Sequence, residues 1–290
     1  MTELAAGGAA KRPEATVGGA SSPAASTTLP SGSGAAWPGE LHRSLSWVRQ
    51  DTSFGAAEDL DYGLRMLHAA KTGRLGATVR IYRPAPSVAF GQRDTHLPGF
   101  AEAAERCRAL GFEPLVRKAG GRAAAYHRGC LVIDHVQPEA DAIAASRHRF
   151  AYFGELLAAA LRDAGVTAGM GEIPGEYCRG EYSVHGVPGY DGGARVKLVG
   201  TAQRVVSGAW LFSSVIVVED SGPLREVLVQ AYDALGLEWD PATAGAADDL
   251  VPGIRMEAVE RAVLARYRAD WEPEESGFRV LLDRTGRPGD

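Results

Sequence analysis

Apolar residues recur along this chain at two spacings, and the alternation between them outlines its elements. Helical spacing starts near Glu58, where Leu60, Leu64, Met66 and Leu67 form a stripe. Asp59 and Asp61 suit the positive end of that helix dipole. Gly73 and Gly76 end the stretch, and Thr78-Val79-Arg80-Ile81-Tyr82 then alternates as a strand. Pro84 and Pro86 break it before Ser87-Val88-Ala89-Phe90-Gly91 begins another. Pro98 at a first-turn position and the stripe Phe100, Ala103, Ala104, Cys107, Leu110 predict a second helix, closed by Gly111. A strand at 113–117, a loop at 118–122 and an extended stretch at 123–136, interrupted near Gly129, follow. A third helix is predicted over 149–164, before Gly165. Residues 169–193 are glycine-rich and polar with little period, which predicts a long loop or an irregular strand pair. Stretches 195–206 and 209–218 read as a hairpin turned at Ser207-Gly208. Helices near 223–235 and 255–271 precede a polar tail expected to be loose after Glu272. Short-turned strands interrupted by helices predict an α+β fold, a mixed sheet flanked by helices, rather than a doubly wound parallel sheet.

Composition narrows the setting. The 290 residues carry a net charge of −5 and are 45% apolar, ordinary for a soluble protein. No apolar stretch is long enough to cross a bilayer, so no membrane partner is expected. The mildly acidic balance argues against a nucleic-acid partner, which needs clustered Lys and Arg. Cys107, Cys130 and Cys178 are widely spaced, with no Cys-x-x-Cys pair and no secretory signal, which implies a reduced, cytoplasmic location. Neither they nor the histidines fall at metal-ligand spacing, and no metal is expected. Residues 1–40, rich in Ala, Gly, Ser, Thr and Pro, are expected to be a disordered leader. A main domain over 41–240 and a C-terminal helix with a loose tail over 241–290 complete the expected division.

Four places could carry chemistry. Lys197 lies in the apolar run Val196-Lys197-Leu198-Val199-Gly200-Thr201-Ala202-Gln203 with no neutralising neighbour in sequence. Simple alternation puts Arg195, Lys197, Val199, Thr201 and Gln203 on one face and Val196, Leu198, Gly200 and Ala202 on the other. Lys197 then either snorkels on a solvated face or points into a pocket. In Arg117-Lys118-Ala119-Gly120-Gly121-Arg122, adjacent glycines among cations form either an anion cradle or an ordinary turn. His127 suits hydrogen bonding to a ligand or a structural role. Cys178, beside Arg179 in the polar loop, is either a reactive thiol in an electropositive neighbourhood or a free loop thiol, whereas Cys107 and Cys130 sit among packing residues.

Taken in order, these pieces resemble the lipoate-protein ligase and octanoyltransferase family, whose catalytic domain is shared with biotin-protein ligases. The resemblance runs through Arg80-Ile81-Tyr82-Arg83, Pro86-Ser87-Val88-Ala89-Phe90-Gly91-Gln92, Arg117-Lys118-Ala119-Gly120-Gly121-Arg122-Ala123 with His127, and the Lys197 to Gln203 strand. It implies a class II aminoacyl-tRNA synthetase-like core and attachment of a lipoyl or octanoyl group to a lysine of a lipoyl domain. The cysteine-dependent transferases of the family are the nearer match, with Cys178 as nucleophile and Lys197 stabilising the oxyanion. Substrate contacts are then implied for Arg117, Gly120, Gly121, Arg122, His127, Gly200 and Gln203. Val88, Phe90 and Val199 would line the acyl tunnel, and Arg117, Lys118, Arg122 and Arg128 would form a basic rim for an acidic carrier. The donor would be an acyl carrier protein or an acylated carrier domain, with no cofactor. An ATP-dependent ligase, needing ATP and Mg2+, is the alternative. A catalytically silent carrier-domain binder is the second alternative. It is suggested by Trp210-Leu211-Phe212-Ser213-Ser214 in place of a His-Gly pair and by the Tyr177-Cys178-Arg179-Gly180 context, while Arg128 after His127 is a further departure from the family pattern.

Overall fold

In chain order the elements are β1 (Arg43–Arg49), α1 (Ala56–Lys71), β2 (Thr78–Tyr82), β3 (Ser87–Phe90), α2 (Phe100–Ala109), β4 (Glu113–Val116), β5 (Ala124–Tyr126), β6 (Cys130–Pro138), α3 (Ser146–Asp163), β7 (Ala168–Met170), β8 (Val184–Gly186), β9 (Val196–Val206), β10 (Ala209–Val217), α4 (Ser221–Leu235), α5 (Ala247–Leu250), α6 (Met256–Tyr267), β11 (Trp271–Ser276) and α7 (Phe278–Thr285). They come from a computed structural model that describes residues 43–118, 120–143, 145–189 and 193–286. The leader expected over 1–40 lies outside the described residues.

An eight-stranded sheet runs in the order β11-β1-β2-β6-β10-β9-β8-β7, and a three-stranded sheet in the order β4-β3-β5. The large sheet is parallel at β11-β1-β2 and antiparallel from β2 onward, so it is mixed, as expected. Alternation assigns its faces. Trp47, Val79, Ile81, Leu131, Ile133, Trp210 and Phe212 point into one core with α3 and α6. Val48, Val136, Ala209 and Leu211 point into another, with α1 and α7. The small sheet packs with α2 and α4 around Val88, Phe90, Val227 and Leu228. The interruption expected near Gly129 separates β5, in the small sheet, from β6, in the large one.

The α1 side is keyed by a buried cation. Arg80 of β2 bonds the Asp134 carboxylate of β6, Gln50 Oε1 at 2.9 Å and the Asp59 carbonyl at 2.8 Å, and its guanidinium lies 4.2 Å from the Tyr82 ring centroid. A buried cation of this kind is tolerable only when paired and hydrogen-bonded. Here the pairing fixes the start of α1 against two strands.

The tail departs from expectation. After Tyr267 the chain forms β11, parallel to β1 in the register Arg43↔Trp271 to Val48↔Ser276. Pro273 and three glutamates gave this segment a non-strand appearance, but it is an edge strand, where a missing N–H and charged side chains are tolerated. α7 then buries Phe278 and Leu281 against α1, and the hydroxyls of Thr285 and Tyr62 share a hydrogen bond. The last segment is thus a strand and a helix of the main fold rather than a loose tail.

His135 of β6 is buried among Phe153, Trp210, Tyr267 and Trp271, and desolvation lowers its pKa to about 3. Unfolded, this histidine titrates near 6.5. The unfolded chain therefore binds the extra proton first, and stability falls as pH drops from about 6.5 towards 3. Urea unfolding of His135→Gln should show a shallower loss than wild type between pH 6 and 4, by about 1.4 kcal/mol per pH unit. Equal slopes would rule out a neutral core histidine.

Candidate active site

A β-bulge decides where Lys197 points. β8 pairs with β9 as Val184↔Val199, His185↔Lys197 and Gly186↔Val196, which leaves Leu198 as the extra residue. Val199 consequently joins the α3-side core, while Lys197 turns to the opposite face with Gly200. Simple alternation had put Lys197 and Val199 on one face, and the bulge corrects it. Lys197 is buried rather than solvated.

That face opens into a cavity of about 530 Å³ between the two sheets, within the range of small-molecule sites. Leu60, Val132, Val215, Ala124 and Ala125 supply apolar wall, and Ser213, Thr201 and Glu181 polar wall. Of the residues singled out in the sequence, Cys178, Lys197, Arg117, Gly120, Gly121, Gly200 and Gln203 all line it.

Cys178 sits at φ +44°, a left-handed conformation rare for a residue with a side chain. Each of its polar groups is held. Its N–H donates to the Tyr232 hydroxyl at 2.8 Å, and that hydroxyl in turn donates to the Ala123 carbonyl at 3.0 Å. Its carbonyl accepts from Lys197 Nζ at 2.7 Å. Its Sγ accepts the Arg122 backbone N–H at 3.2 Å and an Arg117 Nη2 proton at 3.4 Å. The cation on the sulfur is thus Arg117, not the adjacent and exposed Arg179, and not Lys197. Arg117 is buried, with further bonds to Tyr126 Oη and the Arg122 carbonyl. Burial opposes its charge, but Tyr126 and Cys178 outweigh burial and its pKa is raised. The other thiols have no such setting: burial pushes Cys107 up to about 11 and Cys130 up to about 12.

The Gly-Gly loop meets the thiol because two glycines permit close approach. Gly121 is at φ +101°, and a Cβ there would stand 2.8 Å from Cys178 Sγ and collide with Arg117 Nη2. A Cβ on Gly91 would collide with the Gly121 carbonyl. Asp94, buried and unnoticed in the sequence, ties these pieces together. Its carboxylate accepts the Gly91 N–H at 2.9 Å and Arg122 Nη1 at 2.9 Å. The Gly91-x-x-Asp94 turn spacing was the available signal.

Other expectations find different places. The Arg122 side chain turns to Asp94, leaving its backbone N–H as its contribution to the thiol. His127 lies outside the cavity wall, with one ring nitrogen on the Asp220 carbonyl at 2.8 Å and the other on the Gly129 N–H at 3.0 Å. Gln203 spends its amide on α3, donating to Ser146 and accepting from Arg149 Nε at 3.1 Å. Val88, Phe90 and Val199 fill cores instead of the cavity wall. Of the expected basic rim, Lys118 and Arg128 are exposed, while Arg117 is buried. Arg147 and Arg179 are exposed cations on the cavity wall.

Comparison with known proteins places this geometry. Residues 56–265 match the lipoyl protein ligase A/B catalytic domain. The chain is 27% identical over 204 residues to an octanoyl-[GcvH]:protein N-octanoyltransferase of Exiguobacterium sibiricum, covering 67% of this chain and 71% of that one. Its fold is similar to that of a lipoate-protein ligase A bound with ATP, at TM-score 0.60 and 18% identity, covering 82% and 89% of the two chains. It is also similar to a putative lipoate protein ligase of T. acidophilum with bound lipoic acid, at TM-score 0.59 and 18% identity, covering 84% and 95%.

Gly121→Ala should cost about 1–3 kcal/mol in urea unfolding, from left-handed strain and collision with the thiol. Gly120→Ala, whose Cβ would meet nothing within 4 Å, should change stability by less than about 0.5 kcal/mol. Equal effects would show that the close approach at Gly121 is not a constraint.

Proposed function

Because the chain belongs to the lipoyl protein ligase A/B catalytic-domain family, we propose that it transfers an octanoyl or lipoyl group to a lysine of a lipoyl domain through a thioester on Cys178. The observation that carries this reading is the sulfur's position: it stands on the cavity wall with two donors aimed at it, the Arg122 N–H and Arg117 Nη2. A sulfur met by donors is suited to holding negative charge before attack and to passing it to an adjacent acyl oxygen. The similarity to an octanoyl-[GcvH]:protein N-octanoyltransferase supports octanoate as the group and an acylated carrier domain as the donor.

In the first half-reaction the Cys178 sulfur attacks the acyl carbonyl, a C–S bond forms, and the bond to the donor amine or thiol breaks. The thiol proton leaves with the donor group. In the second, an acceptor lysine attacks the thioester, an amide bond forms as the C–S bond breaks, and the amine proton returns to the sulfur. The acyl group passes from the donor to the Cys178 thioester and on to the acceptor amine with no acyl-adenylate between, so this route calls for neither ATP nor Mg2+. Arg117 and the Arg122 N–H are the nearest donors for the oxyanion, and one such donor is worth about 10²–10³ in rate. Lys197 acts on the loop that carries the nucleophile, since its bonds go to the Tyr177 and Cys178 carbonyls and to Glu176.

Mixing the protein with octanoylated GcvH or octanoyl carrier protein and recording intact mass should reveal one added octanoyl group, absent from Cys178→Ala. Transfer to a lipoyl domain should fall at least about a thousandfold in that variant. Pyrophosphate release from ATP and octanoate by Cys178→Ala would establish the ligase reading instead. Carrier binding with neither activity would establish a silent binder.

A further inference from the structure

Beneath the cysteine loop lies a buried ion pair that the transfer steps leave without a task of its own. The Glu176 side chain has no exposure and that of Lys197 has 3%, with Nζ 3.3 Å from Glu176 Oε1. The same oxygen accepts the Gly180 N–H at 2.9 Å and the Ser183 hydroxyl at 2.7 Å. Glu176 Oε2 is buried without a hydrogen-bond partner. Lys197 spends its other protons on the Tyr177 carbonyl at 3.0 Å and the Cys178 carbonyl at 2.7 Å. All three ammonium protons therefore go to the consecutive residues 176, 177 and 178. The carboxylate closes the same loop from its far side through Gly180 and Ser183.

We propose that Glu176 is a positioning residue whose charge anchors Lys197 and thereby locks Cys178 in the left-handed conformation that presents Sγ to Arg117 and the Arg122 N–H. The argument turns on charge rather than shape. A buried ammonium left with carbonyls alone is costly, and the surroundings relax to wet or re-pair it. Because the Tyr177 and Cys178 carbonyls belong to the peptides on either side of the Cys178 Cα, such relaxation moves the planes that set its φ and ψ. Tyr177, whose ring centroid lies 5.0 Å from Lys197 Nζ, and His185, which senses the Glu176 charge, face the pair. His185 stands opposite Lys197 on β8 with its pKa lowered, chiefly by burial. Lys197 is the side chain that pairs with Glu176.

The inference gives Glu176 its catalytic consequence through the acyl-transfer reading, but it is tested without an acyl donor. Iodoacetamide alkylation of Cys178 in the full chain is followed by peptide mass at pH 7 and pH 10. Glu176→Gln keeps an acceptor of the same shape and removes the charge. It should alkylate about tenfold more slowly at pH 7, and the gap should close at pH 10, where accessible thiols are ionised whatever donors surround them. In a Lys197→Met background, adding Glu176→Gln should change the rate by less than about twofold, since the charge then has nothing to anchor. Ser183→Ala, which removes one support of the carboxylate and keeps the pair, should slow alkylation by about two- to threefold at pH 7 and remains informative if Glu176→Gln does not fold. Wild-type rates in Glu176→Gln, a gap that persists at pH 10, losses that multiply with Lys197→Met, or wild-type rates in Ser183→Ala would each overturn the proposal. A wild-type protein that takes no octanoyl group yet shows the expected slowing would sink the transfer reading alone.

Discussion

An ammonium group placed inside a sheet must be answered, and the site is organised around that requirement. Lys197 turns away from the α3-side core because Leu198 bulges out of the β8-β9 ladder. Once turned, it finds one carboxylate and two backbone carbonyls, all from residues 176 to 178. The cost of burying the charge is offset only by that loop folding over it. The desolvated lysine and the loop bearing the cysteine therefore specify each other. The Arg80 cluster solves the same problem on the α1 side, where Asp134, Gln50 and the Asp59 carbonyl share one guanidinium. Both buried cations join elements distant in sequence, which is how a mixed sheet with long connections keeps a fixed geometry around a cavity.

The two cations near the thiol divide their labour. Lys197, a flexible stem with three protons, serves the backbone of the loop. Arg117, a planar fork, reaches Tyr126, the Arg122 carbonyl and the sulfur together. The fork's position depends on Gly121 lacking a side chain, and Gly121 in turn lies against Gly91 at the end of β3. The small sheet thus delivers the donors and the large sheet secures the cysteine loop, and the cavity is the space between them.

Much of the fold was legible because its elements have clean periods. α1, β2, β3, α2 and the β9-β10 hairpin follow from stripes and alternation bounded by glycine and proline. What failed did so for physical reasons. β11 pairs at an edge where sequence preference is weakest, and Trp-Glu-Pro-Glu-Glu-Ser carries no strand pattern. The break near Gly129 was legible, but that β5 and β6 on its two sides enter different sheets is a tertiary choice that no local period records. At the site, Cys178, Lys197, Arg117 and the glycine pair were identifiable as chemistry-bearing residues in a suggestive order. Glu176 and Tyr232 were not, because their bonds to Lys197, Cys178 and Ala123 are made only by folding, and Asp94 left no signal beyond its turn spacing from Gly91. His127 and Gln203 looked like ligand contacts since both are polar groups near the motifs, yet each is satisfied by backbone or α3. The bulge at Leu198 was invisible to alternation, which assumes an unbroken ladder.

The three cysteines show how one residue type is sorted by environment. Cys107 and Cys130 are buried among apolar neighbours, and desolvation pushes both up, to about 11 and about 12, so they resist ionisation at neutral pH. Cys178 is only partly buried, and what surrounds its sulfur is polar and donating. Its backbone pays for that placement in strain at φ +44°. Strain of this kind persists only where neighbours over-determine the conformation. Tyr232 holds the N–H and Lys197 the carbonyl, so the two ends of the residue are fixed by α4 and β9 independently. Fixing the backbone from both sides leaves the partly buried sulfur on the cavity wall while setting its direction.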